Sequence, residues 1–218
     1  MKVNRFAAAI VATALGMALL TGQAAAATLA TWTFETSVPT TAGPHAPEVG
    51  SGAGLGFHAG TTTYSNPVGN GSGESLSSNG WAVGDYYQFS TSTGGNSIID
   101  VSWDQTSSGT GPADFSLQYS TDGSLFTAIT PYTVLPTSWS FGTPSLTSSY
   151  TASIGSISAS TIYFRMVNTS TASANGGTVA STGTNRIDNV SIVGVPEPAT
   201  LALAAMSLIG VVVARRRS

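Results

Sequence analysis

The middle of the chain consists of short stretches in which apolar and polar residues alternate. Ile99, Val101 and Trp103 alternate with Asp100 and Ser102. The same pattern recurs at 115–120, 162–167 and 189–192. A period of two puts one set of side chains on each face of a β-strand, so one face of every stretch is expected to lie in a core. No long stretch here has the 3.6-residue period of a helix, and residues 28–194 are therefore predicted to be all-β.

Turn-forming residues separate these stretches. Thr121-Asp122-Gly123 predicts a hairpin between 115–120 and 125–130, and the turn at 93–96 predicts another between 86–91 and 98–103. The Gly- and Ser-rich region 50–80 predicts long loops. Together these signals indicate nine or ten strands in an antiparallel β-sandwich. One domain of this size can bury a core without covalent cross-links.

Charge is scarce and mostly acidic. Charged residues make up 8% of the chain, against about 25% in a typical soluble domain. Between residues 28 and 194, two arginines face nine acidic residues, which gives a net charge of −7. Nucleic acid is excluded as a partner, because phosphate neutralisation needs many basic residues. The chain has no cysteine, which excludes disulfide scaffolds, thiol catalysis and thiolate metal sites.

The first 27 residues have the organisation of a cleavable signal peptide. Lys2 and Arg5 make the start positive, an uncharged apolar run follows at 6–20, and small residues precede Thr28. Cleavage is expected after Ala26 or Ala27. The alternative is a buried N-terminal helix, which the flanking residues disfavour. The segment therefore predicts export across the inner membrane.

The last 24 residues, 195–218, contain a second apolar run. It covers 199–214, 16 residues without a charge. As a helix it would be about 24 Å long, against a hydrocarbon core of about 30 Å. It is short for a permanent anchor, but it can insert with some local thinning of the bilayer. Three arginines follow and favour a cytoplasmic end. We expect a single transmembrane helix with the β domain outside.

This tail resembles PEP-CTERM sorting domains, in which a Val-Pro-Glu-Pro motif, an apolar helix and a terminal arginine cluster follow in that order. The resemblance covers Val195 to Ser218. It implies recognition by an exosortase, a membrane protease-like transpeptidase, in a Gram-negative-type bacterium that makes an exopolysaccharide matrix. The residues that carry it are Pro196, Glu197, Pro198, Arg215, Arg216 and Arg217. An ordinary single-span anchor is the alternative.

Parts of the middle domain resemble jelly-roll domains of PEP-CTERM and carbohydrate-binding proteins. These parts are 32–35, 84–89, 114–123 and 185–192. The resemblance implies a jelly-roll-like sandwich and glycan contact. In such relatives a Glu of the first strand and an Asp of the last strand often bind a structural calcium ion, and Glu35 and Asp188 occupy the matching positions. A strand-edge carboxylate, or an ion pair with Arg186, is the alternative.

Catalytic patterns are weak. His45 and His58 lie in loop-like sequence and are expected to be solvated, and no G-x-S-x-G elbow, phosphate loop or zinc motif is present. Asp100, Asp104 and Asp114 could supply a pair of carboxylates for glycoside hydrolysis, but their spacing selects no pair. Asp100 and Asp104 are expected on an exposed face. We predict that the protein is not an enzyme and has no cofactor beyond the calcium ion.

The four tryptophans are candidates for stacking on sugar rings. Trp103 fits the core pattern, whereas Trp81 follows Asn79-Gly80 in a loop-rich region and is expected to be the exposed one. The sequence thus predicts an exported protein of the cell surface or exopolysaccharide matrix, transiently anchored in the membrane, with a structural or adhesive β domain. A carbohydrate-binding protein with a defined glycan site is the alternative. A hydrolase that uses the aspartates is a third possibility.

Overall fold

The computed structural model describes residues 26–155 and 157–195, and these contain twelve β-strands. Their bounds are β1 Ala27–Trp32, β2 Val49–Gly50, β3 Gly52–Phe57, β4 Tyr64–Ser65, β5 Leu76–Ser78, β6 Tyr86–Ser92, β7 Ile98–Ser107, β8 Asp114–Ser120, β9 Thr127–Thr133, β10 Ser149–Ile154, β11 Thr161–Asn168 and β12 Asn185–Val195. The only helical element among these residues is a 3₁₀ turn at Leu146–Ser148. The predicted all-β class is confirmed.

The strands form two antiparallel sheets. The first has the order β10-β7-β12-β1-β2, with β5 also paired to β12 and β4 paired to β5. The second has the order β3-β6-β11-β8-β9. Trp32 of the first sheet meets Phe89 of the second with ring centroids 5.1 Å apart. The apolar faces of the two sheets therefore pack on each other as a sandwich.

The period-two pattern identified the core correctly. Ile99, Val101 and Trp103 are buried on β7, as predicted. On β8, β11 and β12 the buried residues include Phe115, Leu117, Ile162, Phe164, Met166, Val190 and Ile192. These side chains join one hydrophobic cluster. Burying this cluster is the main force that holds the two sheets together.

One predicted hairpin is confirmed and the other is wrong. Strands β8 and β9 pair as expected, although β9 begins at Thr127. Strands β6 and β7 do not pair, because they lie in different sheets. The turn between them is tied elsewhere, since the Thr93 N–H donates to the Ser160 carbonyl at 3.0 Å and its hydroxyl to the Ala159 carbonyl at 2.6 Å. The chain thus crosses from one sheet to the other at this turn.

The Gly-rich region 50–80 contains strands as well as loops. Strand β3 pairs with β6 over six residues. A Cβ on Gly54 would lie 2.8 Å from a ring carbon of Phe89 and 3.1 Å from Nε1 of Trp32. The glycines of β3 thus make room for large rings of the core, a close approach that period-two reading does not detect.

The predicted signal peptide lies outside the described residues apart from Ala26 and Ala27, and the predicted transmembrane helix at 199–214 lies wholly outside them. Among the residues that are described, no helix has the length and apolar character needed to cross a membrane.

Candidate functional site

The outward face of the second sheet carries aligned aromatic and polar side chains. Strand register places Leu55, Gln88, Arg165 and Gln118 in one row, and Phe57, Tyr86, Val167 and Ser116 in the next. Phe57 is the most exposed aromatic residue of these rows, at 45%. We call the surface formed by Phe57, Tyr86, Gln88, Arg165 and Phe126 the open face. The residues that alternate with these along the strands, such as Tyr87 and Phe89 on β6, point instead into the core.

The open face is held together by stacking. The rings of Phe57 and Tyr86 lie 4.9 Å apart with an interplanar angle of 15°. The Arg165 guanidinium lies 4.1 Å from the Tyr86 ring centroid and 3.7 Å from that of Phe126. Its Nε donates to Oε1 of Gln88 at 2.7 Å. Cation–π contacts and this hydrogen bond fix the guanidinium in place.

This arrangement offers both apolar and polar contacts to a ligand. Partial burial lowers the pKa of Arg165, which nevertheless stays a cation at neutral pH. An exposed ring beside oriented amide and guanidinium groups suits the apolar and hydroxyl-bearing faces of a sugar. These residues were not predicted as a site from the sequence, although the alternation of Tyr86 and Gln88 with apolar neighbours was available as a signal.

The prediction that Trp81 is exposed is wrong. Trp81 is buried, its indole N–H donates to the Ser78 carbonyl at 3.0 Å, and its ring packs against His58 and Tyr87. Large apolar rings gain most free energy when removed from water, and the loop at 79–85 folds Trp81 inward. Trp32, Trp103 and Trp139 are buried as well. No tryptophan of the described chain offers an exposed ring for glycan stacking.

His58 lies in a buried polar chain that the sequence analysis did not predict. Its Nδ1 is 2.9 Å from Oδ2 of Asp85 and its Nε2 is 2.9 Å from Oγ of Ser78. These are the partners of a Ser-His-Asp triad. Burial lowers the pKa of His58, against the raising effect of Asp85. Ser78 is buried and its hydroxyl also lies 3.0 Å from that of Tyr87, so the network is packed into the core.

His45 is also buried rather than solvated. Its ring nitrogen Nε2 lies 3.0 Å from the Thr41 carbonyl, and its own carbonyl accepts the Trp32 indole N–H at 3.0 Å. The expected exposure of Asp104 is likewise wrong, because Asp104 is buried and accepts hydrogen bonds from Ser149 and Asn189.

The predicted calcium ligands contact the same loop, 69–74. Oε1 of Glu35 accepts the Glu74 N–H at 2.8 Å. Oδ2 of Asp188 accepts the Asn70 N–H at 2.8 Å and the Ser72 hydroxyl at 2.6 Å. Asp188 is fully buried, and its burial raises its pKa to about 7. The ion pair with Arg186, an alternative reading, does not form among the described residues.

The chemistry of this loop region fits a hard cation. Calcium prefers carboxylate and carbonyl oxygens, and Asp188 is a buried carboxylate without a basic partner. A Cβ on Gly69 would lie 2.0 Å from Oγ of Ser72, 2.2 Å from the Glu74 carbonyl oxygen and 2.3 Å from Oδ2 of Asp188. Only glycine lets these three oxygens come so close to the backbone at this position. No group of three or more acidic or histidine side chains in the described chain is spaced to hold a metal. Backbone carbonyls would therefore have to complete the coordination shell.

Comparison with known families identifies one segment of the chain. Residues 194–217 match the PEP-CTERM protein-sorting motif. The chain therefore carries this sorting motif, as predicted from its tail, and the motif indicates export and sorting to the cell surface or extracellular space. A comparison with curated proteins finds no match.

Solved structures similar to this chain include the CBM22-1 xylan-binding domain from Paenibacillus barcinonensis, with 14% identity, a TM-score of 0.49, and coverage of 79% of this chain and 97% of that one. CBM22-1-GH10 modules of a Clostridium thermocellum xylanase cover 77% of this chain and 28% of theirs, with 14% identity and a TM-score of 0.47. The K1 cleaved adhesin domain of Lys-gingipain from Porphyromonas gingivalis covers 74% and 95%, with 10% identity and a TM-score of 0.41.

Proposed function

We propose that this is an exosortase-sorted surface or matrix protein whose β-sandwich binds exopolysaccharide through the open face. The sorting motif at residues 194–217 carries the first part of the proposal. The exposed Phe57 ring, set beside Gln88 and Arg165, carries the second part. This favours a glycan-binding role over a purely structural or adhesive one.

The order of features in the tail explains how sorting would work. The apolar run 199–214 prefers hydrocarbon to water and would halt the chain in the membrane. The arginines at 215–217 would resist crossing, because charges are costly in the bilayer. Pro196 and Pro198 would keep the segment before the helix extended, where an exosortase can reach it. Membrane attachment would thus be transient and precede release or surface attachment.

Binding rather than catalysis is the role we propose for the sandwich. The triad-like residues Ser78, His58 and Asp85 are enclosed in the core. Asp104 is occupied by its own hydrogen bonds. The proposed calcium ion near Glu35 and Asp188 would stabilise the fold, because it would join the start of the domain to its last strand.

The sorting proposal is tested in a host that carries an exosortase. Replacing Pro196-Glu197-Pro198 with three alanines should leave the protein membrane-associated with its tail intact, whereas the wild type loses the tail. Replacing Arg215, Arg216 and Arg217 with serine should weaken membrane retention. Membrane fractionation and intact mass give the result. Normal tail removal in the alanine variant would show that the segment is an ordinary anchor.

The glycan proposal is tested by binding of the purified protein to exopolysaccharide from its host. Phe57→Ala should weaken binding about tenfold, because it removes the exposed ring of the open face. Phe141→Ala is the matched control, since Phe141 is 76% exposed but lies on a loop outside this sheet. Equal binding by both variants and the wild type would contradict a glycan site on the open face.

A further inference from the structure

A pocket of about 380 Å³ lies beside the first sheet, away from the open face. Its walls come from the end of β7, the start of β12 and the segment after β9. The residues that matter here are Thr106, Ser108, Pro136, Ser138, Trp139 and Arg186. No acidic residue of the described chain lines it. Its volume is at the small end of the range for small-molecule sites, roughly 300–1,000 Å³.

Arg186 brings a cation to this pocket without a matching carboxylate. Arg186 is half-buried, and the hydrogen bond that its Nη1 donates to the Val68 carbonyl is long, at 3.5 Å. The one ion pair among the described residues joins His58 and Asp85, so Arg186 has no acidic partner there. Burial lowers its pKa, as expected for a cation that loses water. Most donors of its planar fork remain free for an anion.

Trp139 adds a second unsatisfied donor to the same walls. Its side chain is 6% exposed, and its indole N–H is buried without an acceptor among the described residues. Native proteins rarely leave such a group unpaired, and an orphaned buried donor is a sign of a missing partner. Pro136 and Ser138, which precede it, are exposed. Thr137, between them, is held to Thr106 by hydrogen bonds of 2.7 and 3.0 Å, which fix this wall of the pocket.

We propose that this pocket binds the carboxylate-bearing sugar unit of an acidic polysaccharide. Arg186 pairs with the carboxylate through two parallel N–H bonds, and the Trp139 indole N–H donates to a ligand oxygen. Hydroxyl groups of the wall serve the hydroxyls of the sugar. Ser108, for example, accepts the Thr184 N–H at 2.9 Å through its oxygen and keeps its own proton to donate.

The charge of the domain sharpens this specificity. Its net charge of −7 repels polyanions at long range. Binding of an acidic glycan therefore depends on a local cation in a partly dry pocket, where pairing is strong. Of the two arginines in the domain, Arg165 is engaged with Tyr86, Phe126 and Gln88. Arg186 is therefore the arginine that is available to bind a carboxylate of the ligand. The inference relies on the proposed function only for the supply of polysaccharide.

The test is a titration of the ¹⁵N-labelled full-length protein with sodium D-glucuronate, followed by NMR of the tryptophan indole groups. The chain has four tryptophans, and Trp139→Phe identifies the signal of Trp139 by its loss. Glucuronate should shift this signal saturably. D-glucose, which lacks the carboxylate, and acetate, which lacks the sugar hydroxyls, should each bind at least about tenfold more weakly.

Two variants separate the pocket from other sites. Arg186→Gln should raise the dissociation constant for glucuronate at least about tenfold. Arg186→Lys should raise it less, because lysine keeps the positive charge but lacks the planar guanidinium that donates two parallel hydrogen bonds. Trp139→Phe, which keeps an aromatic ring but lacks the indole N–H, provides an independent check if Arg186→Gln folds poorly. Its binding is followed through the backbone amide signals of the same ¹⁵N-labelled protein, and it should be severalfold weaker. Unchanged affinity in Arg186→Lys and Trp139→Phe would overturn the proposal.

Two further outcomes would also refute it. Acetate binding as tight as that of glucuronate would reveal a simple anion site rather than a sugar site. Loss of glucuronate binding in Phe57→Ala, with unchanged glucuronate binding in Arg186→Gln, would show that the carboxylate binds at the open face. Because the open face is tested separately by Phe57→Ala against whole exopolysaccharide, failure of one proposal does not imply failure of the other.

Discussion

The carboxylate of Asp188 accepts hydrogen bonds from Asn70, Ser72 and Asn189, and no basic side chain of the described chain contacts it. Burial is the main cause of its raised pKa, and the nearby Asp104 adds to the rise. The residue that precedes Glu35 and the residue that follows Asp188 both have left-handed backbone, with φ of 59° at Phe34 and 49° at Asn189. Such strain in non-glycine residues is typical of sites with a function.

A calcium-free protein should therefore lose stability as pH rises. The pKa of Asp188 is about 7 in the folded state and 3.8 ordinarily. Between these values the folded state holds a proton that the unfolded state releases, so its stability falls on the order of 4 kcal/mol from pH 4 to pH 7. The loss is complete at about one pH unit above the folded pKa. Asp188→Asn should remove this contribution, which is measured as the difference between the two unfolding curves across the range.

Calcium should reverse that loss in the wild type. At pH 7.5 and millimolar calcium, the melting temperature should rise by several degrees, because a ligand that binds only the folded state stabilises it by mass action. The Asp188→Asn variant should show no gain, and magnesium serves as the control ion. A wild-type melting temperature that does not respond to calcium would mean that the site near Glu35 does not exist.

The buried carboxylate of Asp85 has a structural role that its variants can reveal. It accepts the N–H groups of Ala59 and Ala82 at 2.9 and 2.7 Å, in addition to its contact with His58. Asp85→Ala should cost about 3–5 kcal/mol of unfolding free energy, since it leaves buried donors without an acceptor. Asp100→Ala, at a half-buried position with one bond to Ser153, should cost below about 1 kcal/mol. Denaturant unfolding compares the two, and similar losses would refute the role.

At the scale of the strand, β3 shows how glycine can belong to a packed sheet. Gly54→Ala should destabilise the protein by about 1–3 kcal/mol, because the new methyl group would press on the rings of Phe89 and Trp32. Gly60→Ala is the matched control: nothing lies within 4 Å of its Cβ position, and its effect should stay within about 0.5 kcal/mol. Chemical unfolding measures both. A neutral Gly54→Ala would show that the two sheets can move apart at this point.

Strand periodicity predicted the core of the sandwich, but not the parts that depend on distant contacts. The buried sides of β7, β8, β11 and β12 follow from alternation alone. The crossing between β6 and β7 does not, because a turn motif cannot show which strand its neighbour will pair with. Trp81 was misplaced for a similar reason. Its loop sequence suggests exposure, while the cavity that receives it is built by residues far along the chain, such as Phe115.

The candidate sites also divide into one that the sequence predicted and others that depend on contacts between distant parts of the chain. Glu35 and Asp188 were found from a resemblance, and the structure brings both to one loop. The open face required strand register, since Gln88 and Arg165 are 77 positions apart and meet only across β6 and β11. The pocket at Arg186 required knowledge of which charges stay unpaired. Sequence alone shows that basic residues are scarce, but not which of them is already engaged.

In the domain as a whole, the first and last strands lie side by side. β12 lies between β7 and β1 and is therefore a central strand. It stays paired with β7 up to its last residue, Val195, which pairs with Ile98. The sorting motif begins at residue 194. The chain therefore passes from a core strand into its processing signal with almost no linker. Processing must leave this strand intact if the sandwich is to survive.

A fragment of residues 26–195 should therefore fold alone, whereas a fragment of residues 26–189 should not. The shorter fragment lacks Val190 and Ile192, both fully buried, and leaves β1 and β7 without their shared partner over several residues. Losing two core side chains and a central strand exceeds the marginal stability of a domain, about 5–15 kcal/mol. Circular dichroism of the longer fragment should show β structure and cooperative melting. By the same reasoning, the protein purified from its host should end at or beyond Val195 by intact mass. Cooperative melting of the shorter fragment at the same temperature, or a mature chain that ends before residue 190, would contradict the central role of β12.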